Sequence, residues 1–204
     1  AVVGKDHSYD VTEEITVNIP QTLHQIEFAI PSGSFRMRGL TVDGTAFASN
    51  ISSSGSSVKI VDQQALTTGI HTYTIRYKIL EFADRNTAKD IFYFNVLLPE
   101  WKQPIGEMNA LITFPDDFPV DDIQHYAGQF GAEDTENRLT YKTEKSSGSF
   151  SVSGKRIPEN YGLSLKAELP DGYWEGALDG VWAIFAMILV MGAAVLVMLV
   201  LWII

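Results

Sequence analysis

The chain has 204 residues, 46 % of them hydrophobic, and a formal net charge of −10. This length allows one domain of moderate size, or two small ones, with a genuine core. The acidic balance, without a visible basic stripe, makes nucleic acid and anionic lipid headgroups poor partners. The lack of any Cys excludes disulfides and thiolate metal sites.

Period-2 alternation of apolar and polar residues dominates positions 9–170 and predicts β-strands. In 11–19 the odd positions are apolar except for Glu13, and in 71–79 His71, Tyr73 and the following odd positions share one face. Further strands are predicted at 25–30, 36–42, 58–61, 108–114, 139–143, 149–153 and 163–169.

Turn signals separate these strands at intervals of about 8–12 residues. Asp43-Gly44 is typical of a type I′ hairpin. Ser- and Gly-rich runs at 32–34, 52–57 and 146–148, and the Pro-Asp-Gly sequence at 170–172, indicate loops. This regular punctuation predicts an all-β fold, an antiparallel β-sandwich.

Two segments depart from the simple pattern. Residues 91–98 are apolar on both faces, which predicts a central strand covered on both sides; the alternative is a strand that presents Tyr93 to a partner. Residues 115–132, with the sequence DDFPVDD, interrupt the alternation and predict a long loop or a boundary between two subdomains.

Residues 181–204 contain no charged side chain and no Asn, Gln, Ser, Thr or Pro. A helix of this length spans about 36 Å, more than the ~30 Å hydrocarbon core of a bilayer. Trp182 and Trp202 lie about 30 Å apart along such a helix, which places each indole at one headgroup layer. The sequence therefore predicts one transmembrane helix.

The flank of this span predicts its orientation. Asp171, Glu175 and Asp179 precede it, and no Lys or Arg follows Lys166, so the flank is expected outside the cytoplasm. We expect an extracytoplasmic domain over 1–175, a juxtamembrane linker over 176–180 and a single-pass anchor over 181–204. Ala1 is typical of a mature terminus left by signal-peptide cleavage, and the missing basic residues after the span predict that the natural chain continues beyond Ile204.

The chain resembles a bacterial family of predicted membrane proteins known as domain of unknown function 2207. The similarity lies in the opening strand at 11–17, in the segment from His24 to Pro31, and in an ordered set that continues through 68–77, 94–96, 101–105 and 162–170. Phe28 stands where the family typically carries Arg, and Phe94 where Trp is expected. The resemblance implies a signal peptide, a β-rich outer domain and a membrane anchor, and it implies no activity.

No catalytic or cofactor-binding motif is recognisable, and no cofactor is predicted. The four His residues are scattered, and His71 is expected to be a core or rim residue bonded to backbone. The best metal candidate is calcium at the acidic segment, although the spacing lacks the alternating ligand pattern of calcium loops. Its residues are Asp116, Asp117, Asp121 and Asp122.

The sequence favours a membrane-tethered interaction or assembly module of the bacterial envelope, not an enzyme. Its expected partners are the bilayer and another membrane or envelope protein, with Tyr93 and Trp101 as candidate surface residues. One alternative is an envelope hydrolase that assembles His24, His71 and the acidic segment. Another is a carbohydrate-binding or ligand-sensing domain that uses Trp101 or Trp174, although Tyr173 and Trp174 are expected at the headgroup layer.

Overall fold

The computed structural model describes residues 1–22, 26–31, 35–43, 45–46, 51–54, 57–62, 67–82, 88–129 and 137–177. The predicted span 181–204, with Trp182 and Trp202, and also His24 lie outside these residues. Among the described residues there is no helix of the length and apolarity needed to cross a membrane.

Fourteen β-strands and two 3-10 turns account for the regular structure of the described residues. The strands are β1 (Val2–Val3), β2 (Ser8–Ile19), β3 (Ile26–Pro31), β4 (Phe35–Val42), β5 (Thr45–Ala46), β6 (Ile51–Ser54), β7 (Ser57–Asp62), β8 (Gly69–Glu81), β9 (Lys89–Leu97), β10 (Ile105–Thr113), β11 (Gln124–Gln129), β12 (Leu139–Glu144), β13 (Ser149–Ile157) and β14 (Tyr161–Pro170). The turns span Val120–Asp122 and Lys145–Ser147. The all-β prediction is confirmed.

The strands form three sheets. The largest has the order β12-β13-β10-β1-β2-β8-β4-β5, and two three-stranded sheets have the orders β11-β14-β9 and β3-β7-β6. Among the described pairings only that of β1 with β10, through Val2 and Thr113, is parallel. The short strand β1 thus joins two groups of antiparallel strands into one sheet.

The predicted alternation on β8 matches the burial of its side chains. Tyr73, Ile75, Tyr77 and Ile79 are buried, whereas Arg76 between them is exposed. Because successive strand residues face opposite sides, one face of the eight-stranded sheet is apolar and the other is exposed to solvent.

The hydrophobic core lies between this apolar face and the sheet of β9, β11 and β14. Tyr9 on β2 stacks on Phe94 of β9 with ring centroids 5.3 Å apart, and it also contacts Phe92. From β14, Leu163 and Leu165 are fully buried in the same cluster. Aromatic and aliphatic side chains from both sheets therefore stabilise one continuous core.

The turn predicted at Asp43-Gly44 joins β4 to β5. Val42 pairs with Thr45, which leaves two residues in the connection, and Asp43 has a positive φ of 49°. This geometry agrees with the predicted hairpin. In contrast, part of the loop predicted at 52–57 is strand, because β6 and β7 pair there.

The strand predicted to be central, β9, lies at an edge of its three-stranded sheet within the described residues, so that prediction is wrong. Phe92 and Phe94 are buried, whereas Tyr93 between them is exposed. The segment 115–132 also differs from a long loop, since it contains a 3-10 turn and strand β11, which pairs with β14. A division of the domain near this segment stays a prediction.

Candidate functional site

The chain leaves the last strand, β14, through a segment that packs tightly on the domain. The ring of Trp174 lies parallel to that of His7, with centroids 4.1 Å apart and an interplanar angle of 2°. Tyr173 is buried and meets Phe118 edge to face at 6.0 Å. Tyr173 and Trp174 therefore pack on the domain, and their expected position at the headgroup layer stays a prediction.

A tight turn between β1 and β2 positions His7 for this stack. The Gly4 N–H donates to the Ser8 carbonyl at 2.8 Å, and the His7 N–H donates to the Gly4 carbonyl at 3.1 Å. His7 has a positive φ of 57°, a conformation that non-glycine residues adopt only when the surroundings favour it. The imidazole is thereby held at the surface on which Trp174 lies.

Backbone hydrogen bonds hold the same segment on two sides. The Trp174 N–H donates to the Asp90 carboxylate at 3.0 Å, and Asp90 is buried at the start of β9. The Glu175 N–H donates to the Lys5 carbonyl at 2.8 Å. A charge-assisted bond to a buried carboxylate is stronger than a neutral one.

Lys5, Asp117 and Tyr173 complete the contact. The Lys5 ammonium pairs with the Asp117 carboxylate and lies 3.4 Å from the centre of the Tyr173 ring, and the Tyr173 hydroxyl donates to Asp117 at 3.0 Å. The hydrogen bond from Lys5 lowers the pKa of Asp117. Burial, followed by the hydrogen bond to Asp117, raises the pKa of Tyr173.

We call this cluster the exit junction. Its members are Lys5, His7, Asp90, Asp117, Tyr173 and Trp174. The aromatic residues were visible in the sequence, but their packing partners are more than 50 residues away along the chain, and no local signal identifies them.

The four aspartates of the calcium hypothesis do not converge. Asp117 pairs with Lys5, and Asp121 pairs with Lys145. Nowhere in the part of the chain that the structure describes do three His or acidic side chains come close enough together to hold a metal ion. This segment instead uses its carboxylates in separate ion pairs.

A second feature is the outer face of the sheet formed by β11, β14 and β9. Two tyrosines stand out of it, Tyr93 with 51 % of its surface exposed and Tyr126 with 54 %. The Tyr93 hydroxyl donates to the Ser164 hydroxyl at 3.2 Å, which in turn donates to the Asn95 side-chain oxygen at 2.6 Å. Tyr126 donates to Gln124 at 2.8 Å.

We call this surface the tyrosine face. Tyr126 pairs with Ser164 and Tyr93 with Lys166, so the two tyrosines stand on strands about 10 Å apart on either side of β14. The candidate residue Tyr93 lies on this face, whereas Tyr126 was not predicted. The available signal was that Tyr126 is the one large hydrophobic residue in the otherwise polar or small run Gln124–Gln129.

Trp101, the other candidate surface residue, is partly buried against the core. Its N–H donates to the Leu98 carbonyl at 3.2 Å, and its own carbonyl accepts from the Asn160 N–H at 2.8 Å. These bonds hold it at the end of the sheet opposite the exit junction. Trp101 therefore covers an end of the core and does not lie on the tyrosine face.

Of the residues of the hydrolase hypothesis, the structure describes His71 and the acidic segment, and these two are not brought together. His71 pairs with Val17 near one end of β2, and its Nε2–H donates to the Thr67 carbonyl at 2.8 Å, as predicted for a rim histidine bonded to backbone. The acidic segment follows Thr113, which is level with Asp10 near the other end. Seven residues along a strand correspond to about 23 Å.

Glu13, the exception to the apolar pattern of β2, is a carboxylate on the inner face of the sheet. The Tyr77 hydroxyl donates to its Oε1 at 2.5 Å. Burial raises the pKa of Glu13, and the bond from Tyr77 partly offsets that rise. The pair satisfies a polar group that would otherwise be costly inside an apolar layer.

Residues 1–168 match the model of a family described as "Predicted membrane protein (DUF2207) N-terminal domain". No curated protein and no solved structure matches the chain.

Proposed function

The chain belongs to the DUF2207 family of predicted membrane proteins, and from this membership we propose that it is a membrane-anchored module of the cell envelope. In this proposal residues 1–175 form a β-sandwich outside the cytoplasm, and residues 181–204 form the single transmembrane anchor. The sandwich binds a membrane or envelope protein through the tyrosine face.

The exit junction is the observation that carries the proposal. A loosely tethered domain needs no contact with the segment that follows its last strand. Here that segment is held by the ring of His7, by the buried carboxylate of Asp90 and by the carbonyl of Lys5. The contacts fix the direction in which the chain leaves the domain, and so support a module whose binding surface has a set orientation above the membrane.

The chemistry of the tyrosine face supports its role as the binding surface. Tyrosine offers a large, rigid contact area that loses little entropy when it is immobilised, together with a hydroxyl that can hydrogen-bond. Around Tyr93 and Tyr126 lie groups of both hydrogen-bonding types on Asn95, Ser164 and Lys166.

Membrane anchoring and sidedness are tested with the full chain, expressed behind a secretion signal in a bacterial host. After a carbonate wash the protein should stay in the membrane fraction, and protease added to spheroplasts should digest the domain. Recovery of the chain in the aqueous fraction, or protection from external protease, would overturn the proposal.

Partner binding is tested by photo-crosslinking in the same membranes. A photoreactive residue at Tyr93 or Tyr126 should give a discrete crosslinked band, and the same residue at Thr140, exposed on β12, should not. Equal labelling from all three positions would argue against the tyrosine face as the binding surface.

Carbohydrate binding is the second candidate function. Exposed tyrosine rings beside the hydrogen-bonded pair of Ser164 and Asn95 resemble what a sugar requires, an apolar platform with polar groups at its rim. Saturable binding of soluble cell-wall glycan that is lost in both Tyr93→Ala and Tyr126→Ala would favour this candidate. A protein crosslink without glycan binding would favour the first.

A further inference from the structure

The outer face of the eight-stranded sheet carries a group of basic side chains that the sequence analysis did not recognise. Arg38 on β4 pairs with Lys78 on β8, and Arg36 and Arg76 lie on the same face of these two strands. The signal was present as two alternating pairs, Arg36-x-Arg38 and Arg76-x-Lys78, in predicted strands. We call these four residues the basic patch.

The positive charge of the basic patch is mostly uncompensated. Arg36, Arg38 and Arg76 are exposed, and none of them makes a hydrogen bond or ion pair within the described residues. Lys78 pairs with Asp10 at 3.0 Å. Like charges on directly paired strand positions destabilise a sheet, so this arrangement gives the fold no internal benefit. It is complementary to an external anion.

The basic patch lies toward the same end of the sheet as the exit junction. Arg36 pairs with Leu80, and Leu80 pairs with Ser8, the residue directly after His7. Arg38 lies level with Asp10, two residues further along β2. The four side chains are therefore grouped at the end from which the chain leaves the domain.

The length of the following segment limits the distance between this end and the bilayer. Trp174 is held by the exit junction, and seven residues further the predicted span begins at Val181. Even when fully extended, these residues reach only about 25 Å. A surface tethered this closely meets lipid headgroups at high effective concentration.

We infer that the basic patch binds the phosphate groups of anionic lipids in the leaflet from which the domain emerges. This inference rests on the proposed membrane anchor. The planar guanidinium group donates two parallel hydrogen bonds to a phosphate, which suits Arg36, Arg38 and Arg76 to this ligand. The contact tilts an otherwise acidic domain so that β4 and β8 face the membrane.

The test uses the full chain in lipid nanodiscs. Because the chain has no Cys, Thr12→Cys gives a single fluorophore beside Arg76, and Thr140→Cys gives a control position on β12. Quenching by headgroup-attached quenchers is compared between phosphatidylcholine discs and discs that contain phosphatidylglycerol. The test variant carries Arg36→Gln, Arg38→Gln and Arg76→Gln, and the matched control carries Lys102→Gln, Lys142→Gln and Lys155→Gln.

We expect quenching at position 12 to rise about twofold or more with phosphatidylglycerol at low salt, and to fall again at 0.5 M salt. The rise should disappear in the Arg variant and persist in the Lys variant and should be absent at position 140. Equal quenching in both lipids, or an unchanged rise in the Arg variant, would overturn the inference. Soluble polyphosphate gives a further test. If it binds the basic patch in phosphatidylcholine discs with equal strength and abolishes the rise, the ligand of the patch is a soluble phosphate polymer, and the inference is also overturned.

A carbonate wash of the same membranes separates this inference from the proposal on which it rests. Retention of the chain without lipid-dependent quenching contradicts only the headgroup contact. Release of the chain by carbonate contradicts the anchor, and with it both proposals.

Discussion

The imidazole of His7 and the indole of Trp174 lie face to face, 4.1 Å apart, although 167 positions separate them in the chain. The stack closes the domain at the point where the chain leaves it. Because one ring precedes β2 and the other follows β14, the beginning and the end of the folded region are held together. Four predictions concern this contact and the core behind it.

Trp174→Ala should loosen the exit segment and lower the free energy of unfolding by about 1–3 kcal/mol, because a partly buried aromatic ring is lost from its stack. Denaturant unfolding of the full chain in detergent measures the loss. Hydrogen exchange at the Trp174 and Glu175 amides should quicken. Trp174→Phe keeps an aromatic ring on His7 and should lower the free energy of unfolding by less. Equal losses in the two variants would show that stacking on His7 does not cause the destabilisation.

Asp117→Asn should release Tyr173 and Lys5, and so increase proteolysis of the exit segment, because the ion pair and the acceptor of the Tyr173 hydroxyl are weakened together. The pKa of Asp117 is lowered below its ordinary value of 3.8. The contribution of the Asp117 carboxylate to stability is therefore present above pH 3.8. It is lost as the pH falls through the pKa of Asp117 in the folded state, which lies below 3.8. Asp116→Asn, an exposed neighbour, is the matched control and should leave proteolysis unchanged.

Glu81→Gln should change the pH dependence of stability. Burial raises the pKa of Glu81 from 4.5 to about 6. The folded state thus binds the Glu81 proton more tightly than the unfolded state does. The contribution of protonated Glu81 to stability is therefore complete below pH 4.5 and is lost as the pH rises through about 6. The variant should gain about 1 kcal/mol over the wild type between pH 4.5 and pH 7.5, after allowance for solvent screening of a half-buried group.

Unfolding free energies measured at several pH values test this expectation. Glu14→Gln removes an exposed carboxylate from the same sheet and should give a curve parallel to that of the wild type. A Glu81→Gln curve that is also parallel would refute the assignment.

Gly154→Ala should destabilise the fold by about 1–3 kcal/mol, because an added Cβ overpacks the core. It would lie against Leu139 and only 3.2 Å from both the Arg138 carbonyl oxygen and the Ile157 side chain. Gly106→Ala on the neighbouring strand β10 meets nothing within 4 Å and should be close to neutral. Thermal unfolding of the two variants gives the comparison; similar shifts would contradict the packing argument.

Most strands could be predicted because alternation is a local property. The buried positions of β8, from Tyr73 to Ile79, follow directly from it. Strand β11 was not predicted, because its residues Gln124–Gln129 carry little apolar signal and it is held by pairing with β14. The edge position of β9 was also invisible, since an apolar composition does not state which strands lie beside it.

The candidate sites were predictable only in part. Tyr93 is exposed, as expected from one of the two interpretations of residues 91–98. Its neighbour Tyr126 comes from another strand of the sheet. Asp117 was noticed as an acidic residue, yet its partner Lys5 lies 112 positions earlier in the sequence. Sites built from distant strands depend on sheet order, which period-2 patterns do not contain.

Strand β1 has a consequence for how the protein folds. Its two residues are the link between the ladder of β10, β13 and β12 and the ladder of β2, β8, β4 and β5. The pairings inside each ladder join residues at most 72 positions apart, whereas the union of the two ladders requires Val2 to meet Thr113, 111 positions away. Closure over such a separation is entropically slow, so the late step in folding should be the meeting of two finished halves.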